Sequence, residues 1–326
     1  MLRWIFGGIL GLIGVLALAA VAGYFILKRP DIPYETLAAK YESGASRHEM
    51  FADGVRMHYR DEGNPDGPTL LLLHGFSASL QTWEPWVRQL GGDYRIVTLD
   101  LPGHGLTRAP AGYQGSIAAF RDAVSTFADA RNLQHFIIGG NSMGGHVALE
   151  YALAHPDQID ALMLIDSAGW PQPANANEGQ SAIIFQLLRN PIAANILRDL
   201  DTSALIRQGL ETAFPAKPEL VDDAMVARYA ELSRAPGHRD IIFGLMRAEQ
   251  PFATPERLAA LTMPTLIVHG KQDHLTPLSF GEQFHAAIAG SEFQALDGIG
   301  HVPQEEVPEQ SAALARAFVQ RVHGAE

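Results

Sequence analysis

Ser142 stands in the run Gly140-Asn141-Ser142-Met143-Gly144, with a glycine two positions away on each side. The apolar stretch His135-Phe136-Ile137-Ile138-Gly139 leads into it and a helical pattern over 144–154 leads out. A sharp strand-to-helix turn at that point lifts a hydroxyl clear of the chain, and small flanking residues let the backbone bend and pack closely. A serine hydroxyl is a weak nucleophile until a base takes its proton and an acid orients the base. His301, in Gly298-Ile299-Gly300-His301-Val302-Pro303, is the candidate base, and Asp273, in Gly270-Lys271-Gln272-Asp273-His274, is the candidate acid. Asp166 is the rival acid, because it ends a neighbouring apolar run and could project from there. His274, beside the acid, reads as a surface residue. Attack on an acyl carbon leaves negative charge on oxygen, which calls for preorganised N–H donors. The backbone N–H of Met143, at a helix start, and that of Phe76, in His74-Gly75-Phe76-Ser77, fit the need.

Elements that could position these groups alternate along the chain. Strands are predicted at 47–51 and 55–60 as an opening hairpin around Asp53-Gly54, then at 69–73, 94–99, 135–139, 160–165, 264–269 and 291–296. Helices are predicted at 80–90, 115–131, 144–154, 278–288 and 308–322. Continuous apolar runs such as TLLLL suit strands buried on both faces, and strands alternating with helices predict an α/β fold with a mostly parallel sheet. In such sheets ligands bind at the carboxyl ends of strands, where the loops of Ser142, Asp273 and His301 fall. Residues 171–255 break the alternation; Pro-punctuated and helical in pattern, they read as a cap or lid inserted into a core of 47–170 and 256–326.

Residues 4–27 carry no charge and are flanked by Arg3 and Lys28-Arg29. As a helix they would reach about 36 Å, enough to cross a hydrocarbon core of roughly 30 Å. A transmembrane helix or uncleaved signal anchor is expected, with Trp4 and Tyr24 near its ends and 28–46 as a linker. The rival is a cleaved signal peptide with Ala20-Val21-Ala22 as its site, but the apolar run continues past that point. Basic residues nearly balance across the span, so its orientation is weakly specified; an extracytoplasmic catalytic domain is slightly favoured. Gly7-x-x-x-Gly11 would suit close helix packing within the bilayer.

The 326 residues carry 24 basic and 36 acidic side chains, a formal net charge of −12, which argues against a nucleic-acid partner. The absence of cysteine removes thiolate nucleophiles and disulfides. No cofactor or metal site is expected, since no H-E-x-x-H run or metal-type histidine spacing occurs.

The set LLLHGFSAS, DLPGHGLT, GNSMGG, GKQD and GHVP resembles the α/β-hydrolase superfamily over most of residues 50–322. With its apolar N-terminal run, the chain is similar to membrane-anchored monoacylglycerol-lipase-like enzymes and bacterial lipases and esterases. That resemblance implies the triad order Ser142, Asp273, His301, and a structural turn at Asp100–Gly105, so His104 is given no catalytic role. A serine at the elbow departs from epoxide hydrolases and haloalkane dehalogenases, which use aspartate. The elbow also resembles that of carbon–carbon bond hydrolases of ring-cleavage products. Those have a glycine-rich H-G-x-G-P-G loop and a tryptophan after the triad histidine, where this chain has His74-Gly75-Phe76-Ser77 and Val302. Carboxylic ester hydrolysis on a hydrophobic or lipid-like substrate is therefore the expected activity. Cofactor-free haloperoxidase chemistry and a non-enzymatic binding protein on the same fold are the remaining alternatives. Trp170, Phe185, Leu188, Phe243 and Met246 are candidate substrate contacts, although apolar stripes of this kind also serve plain core packing.

Overall fold

The computed structural model describes residues 14–16, 18–19, 21–171, 190, 196 and 198–324. Its centre is an eight-stranded sheet built from β1 (Ser46–Met50), β2 (Arg56–Gly63), β3 (Thr69–Leu73), β4 (Arg95–Leu99), β5 (Phe136–Asn141), β6 (Ile159–Ile165), β7 (Thr265–Gly270) and β8 (Glu292–Leu296). The spatial order is β1-β2-β4-β3-β5-β6-β7-β8, antiparallel across the first two pairings and parallel from β4 onward. The expected mostly parallel sheet is thus present, and its strands begin and end within two residues of the predicted positions except β2, which runs three residues further, to Gly63. The exchange of β3 and β4 in the order carries no local sequence mark.

Side chains alternate across the sheet and fill two separate cores. Leu71, Leu73, Ile138, Leu162, Leu164 and Ile267 point to one face, against Phe120 of α3 (Ile117–Ala130), Val147 of α4 (Met143–Ala154) and Phe284 of α9 (Leu278–Ala287). Leu70, Leu72, Ile137, Met163, Leu266 and Val268 point to the other, against Trp86 of α2 (Glu84–Leu90) and Phe318 of α11 (Pro308–His323). Burial on both faces is why these strands read as unbroken apolar runs.

Between β6 and β7 the described part of the insertion forms α5 (Ser203–Ala213), α6 (Asp223–Leu232), α7 (His238–Arg247) and the short α8 (Pro255–Leu258). Asp222 caps α6 by accepting from Met225 N at 2.7 Å. A small core of Leu210, Phe214, Val226 and Tyr229 closes over Ala78 and Val302, so the insertion packs on the loops that carry Phe76 and His301. The short helix α10 (Pro303–Glu306) follows His301.

The segment expected as a linker at 28–46 is bound to the insertion instead. It contains α1 (Tyr34–Tyr41), which buries Tyr34 and Leu37 against Leu106, Leu232 and Ala235. Tyr34 Oη lies 2.9 Å from His238 Nε2 and 3.3 Å from the carbonyl oxygens of Thr107 and Pro236. Ion pairs join Lys28 to Asp199, Arg29 to Asp201, Asp31 to Arg239 and Lys40 to Glu231. An eight-residue helix with two buried side chains leaves little periodic signal, and the partners of Tyr34 lie 73 to 204 positions away.

Residues 4–13, 17 and 20 of the expected membrane span lie outside the described residues; among the described residues no helix is long and apolar enough to cross a membrane. Residues 21–27 are helical, and Phe25 and Ile26 are 70% and 72% exposed.

Candidate active site

Ser142 occupies the turn between β5 and α4 with φ 55° and ψ −118°, a conformation that side chains rarely adopt. Two glycines make that turn possible. A Cβ on Gly144 would lie 2.3 Å from Leu73 O, and one on Gly140 would lie 2.2 Å from the Gly144 backbone carbon. The helix is thereby drawn against the ends of β3 and β5, leaving the serine at the carboxyl edge of the sheet.

His301 and Asp273 meet at that edge. His301 Nδ1 and Asp273 Oδ2 are 2.7 Å apart, both residues buried. The second carboxylate oxygen of Asp273 accepts from Leu275 N and Thr276 N at 2.7 and 3.0 Å, and Thr276 Oγ1 donates to Oδ2 at 2.5 Å. Burial pushes the Asp273 carboxyl up, but the neighbouring His301 and these hydrogen bonds outweigh it and hold the group below the usual carboxylate range. Among the described residues no hydrogen bond joins His301 to Ser142; contacts of this kind often close only when substrate arrives.

The histidine loop is fixed through its backbone. His301 N donates to Ala213 O at the end of α5, and Asn141 Nδ2 donates to His301 O at 2.9 Å. Glu306 Oε1 accepts from Gly300 N and Val302 N, each at 3.1 Å, holding the peptide groups on both sides of the imidazole. Burial pushes the Glu306 carboxyl up. Asn141, Thr276 and Glu306 were not singled out from the sequence; Asn141 lies inside the serine motif, but its partner is 160 positions away.

Ser142 and His301 line a cavity of about 580 Å³ together with Phe76, Phe243 and Met246. Phe76 belongs to the loop after β3, and the residue is 41% exposed. Met143 is the first residue of α4, where the helix itself offers its N–H no acceptor, while its side chain packs into the core. Trp170 is not among the residues that line the cavity: it packs edge-on against Phe284 of α9, with ring centroids 5.5 Å apart. The expectation of a pocket contact there is corrected by the path of the chain after β6, which turns the indole toward the core. Phe185 and Leu188 lie outside the described residues. His274 is exposed, whereas His104 is buried and its ring meets Phe120 edge-on, within the turn that follows β4.

One group of side chains among the described residues brings possible metal donors together: Asp166, His269 and Asp273, with ligand atoms within 4.8 Å of one another. Those of Asp273 and His269 already have protein partners, since Asp273 meets His301 and His269 Nε2 donates to Thr276 O at 2.8 Å. Asp166, the rival acid, approaches this group from the end of β6, but His301 is hydrogen-bonded to Asp273.

The chain belongs to the α/β hydrolase fold family, whose profile matches residues 68–308. It is 28% identical over 280 residues to 2-hydroxymuconate semialdehyde hydrolase of Pseudomonas sp. (strain CF600), covering 83% of this chain and 93% of that protein. It is 27% identical over 278 residues to a monoacylglycerol lipase of Xenopus laevis, covering 82% and 80%. Among solved structures, a membrane phospholipase A described as a bacterial virulence factor superposes with a TM-score of 0.70 at 27% identity, covering 99% of both chains.

Proposed function

We propose that this protein is a serine carboxylic ester hydrolase acting on hydrophobic or lipid-like esters through an acyl-enzyme. The observation that carries the reading is the convergence of Ser142 with the His301–Asp273 pair on a largely apolar cavity bordered by Phe76. In this mechanism His301 takes the Ser142 proton as the serine oxygen attacks the ester carbonyl, and the N–H groups of Phe76 and Met143 hold the oxyanion. His301 then gives the proton to the departing alcohol. Water attacks the acyl-serine with His301 again as base, while Asp273 stabilises the imidazolium. The insertion at 171–255 acts as a cap, and Phe243 and Met246 contact the acyl chain.

The uncharged run at 4–27 is proposed as a membrane anchor. The named membrane phospholipase supports this through its nearly complete alignment, and so do the bare apolar side chains of Phe25 and Ile26. Lipid delivered from the bilayer would then reach the cavity locally.

Similarity to the semialdehyde hydrolase favours a second reading, carbon–carbon bond hydrolysis of a ring-cleavage product by the same serine. A panel of p-nitrophenyl esters, monoacylglycerols and a ring-cleavage dienone separates the two. Ester turnover exceeding dienone turnover is expected, and the reverse order would replace the ester reading with the second one.

A further inference from the structure

Two carboxyl groups converge behind His301 where the mechanism uses only one. Asp166 is fully buried at the end of β6, with φ 43°. Its backbone N–H donates to Val268 O, and its carbonyl oxygen lies 3.1 Å from Thr276 Oγ1, whose hydrogen goes to Asp273, so the residue is held in place despite an unfavourable backbone conformation. Its side chain is only half satisfied: Oδ1 accepts from Gly270 N at 2.8 Å, and Oδ2 has no partner as an acceptor.

The neighbours of Asp166 offer it no positive charge. His269 Nε2 lies 3.8 Å from Asp166 Oδ1 and 3.7 Å from Asp273 Oδ2, yet its hydrogen is committed to Thr276 O. The other ring nitrogen faces α9, where a Cβ on Gly281 would come within 2.9 Å of it. Burial lowers the His269 value, favouring the neutral ring. Glu306 adds a further acidic group, and the cation formed at His301 is already paired with Asp273. Two anions cannot share this dry space without a cation between them.

We propose that Asp166 is a positioning residue: a neutral carboxylic acid whose Oδ2 hydrogen is given to Asp273, holding that carboxylate against His301. The proton stays on Asp166 throughout the reaction, so Asp273 keeps the single negative charge that the imidazolium meets. One oxygen of each carboxyl lies within 4.8 Å of the other, and burial first, then the Asp273 charge, raise Asp166 well above its ordinary value, consistent with this assignment.

The inference rests on the serine-triad reading, and its test keeps the two apart. The rate at which a fluorophosphonate labels Ser142 is measured against pH in the full chain, in Asp166→Asn and in Asp166→Ala. The wild type should label with an acid limb set by His301; no labelling, or no acid limb, defeats the triad reading itself. Asparagine is neutral and can donate an N–H to Asp273, so Asp166→Asn should label within about threefold of wild type with its acid limb unmoved. Alanine donates nothing. Asp273 then holds the imidazolium more tightly, and the acid limb of Asp166→Ala should move to higher pH by about half a unit. A downward shift in Asp166→Asn would mean that a negative charge had been removed, and an unmoved limb in Asp166→Ala would mean that Asp166 only packs; either overturns the proposal. If Asp166→Ala does not fold, infrared spectroscopy decides: a protonated-carboxyl band at neutral pH should be present in wild type and missing from Asp166→Asn, and its absence from wild type refutes the inference.

Discussion

Ser142 combines two demands, a hydroxyl aimed into the cavity and a backbone conformation that costs about 1–3 kcal/mol where it is forced on a side chain. Since alanine meets the same backbone constraint, Ser142→Ala should leave the circular dichroism spectrum unchanged while ester turnover falls roughly 10⁴-fold or more. Asp273→Asn should cost a similar factor, because the amide can hold the wrong tautomer of His301. At Asp166 the linkage to stability has a definite sign. A carboxyl whose folded value is raised contributes stability that is fully present below its unfolded value and is lost as pH climbs toward the folded one. Asp166→Asn lacks that loss, so its Tm should gain on wild type as pH rises from about 4 to 7. Thermal melts across that window read the gap, and a constant gap contradicts a raised Asp166.

The elements place the three candidate residues through contacts of very different sequence reach. Asn141 binds β5 to the histidine loop by donating to Ile165 O and His301 O, so Asn141→Ala takes the donor from the buried His301 carbonyl oxygen, while Ile165 O keeps the Ser142 N–H. Urea unfolding should register a loss of roughly 1–3 kcal/mol, with turnover falling as His301 drifts; unchanged values for both would remove Asn141 from the positioning framework. Much of this arrangement was legible beforehand. The strands of the buried sheet announce themselves as apolar runs, and Gly140 and Gly144 flank the serine because their Cβ positions are filled by neighbouring backbone. The loops of Asp273 and His301 could be found because each follows a strand. What stayed hidden was pairwise and distant: the swap of β3 and β4, the Glu306 clamp on two peptide groups, and the Thr276 hydroxyl shared within the acid loop. Polar side chains of these types are common everywhere, and only the partner's position gives them meaning. Helix α1 was missed for a related reason, since its buried face is defined by the insertion and not by its own short pattern.

Across the whole molecule, the charge of −12 has no counterpart in the cavity, whose walls are mainly apolar, so the acidic excess bears on solubility and not on substrate choice. The N-terminal segment belongs to the molecular design in two ways: an uncharged run before Lys28, then a strap of ion pairs to the insertion. Removing residues 1–23 keeps Tyr24 and its hydrogen bond to Asp199. The shortened protein should move from the membrane fraction to the soluble fraction and still cleave a short-chain soluble ester; retention in the membrane fraction would show that the anchor lies elsewhere. Whether Ser142 is the nucleophile is read by intact-mass measurement after exposure to a fluorophosphonate. Wild type should gain one adduct, mapped to the peptide containing Ser142, and Ser142→Ala should gain none. An unlabelled wild type, or an adduct that survives in Ser142→Ala, would rule Ser142 out as the nucleophile.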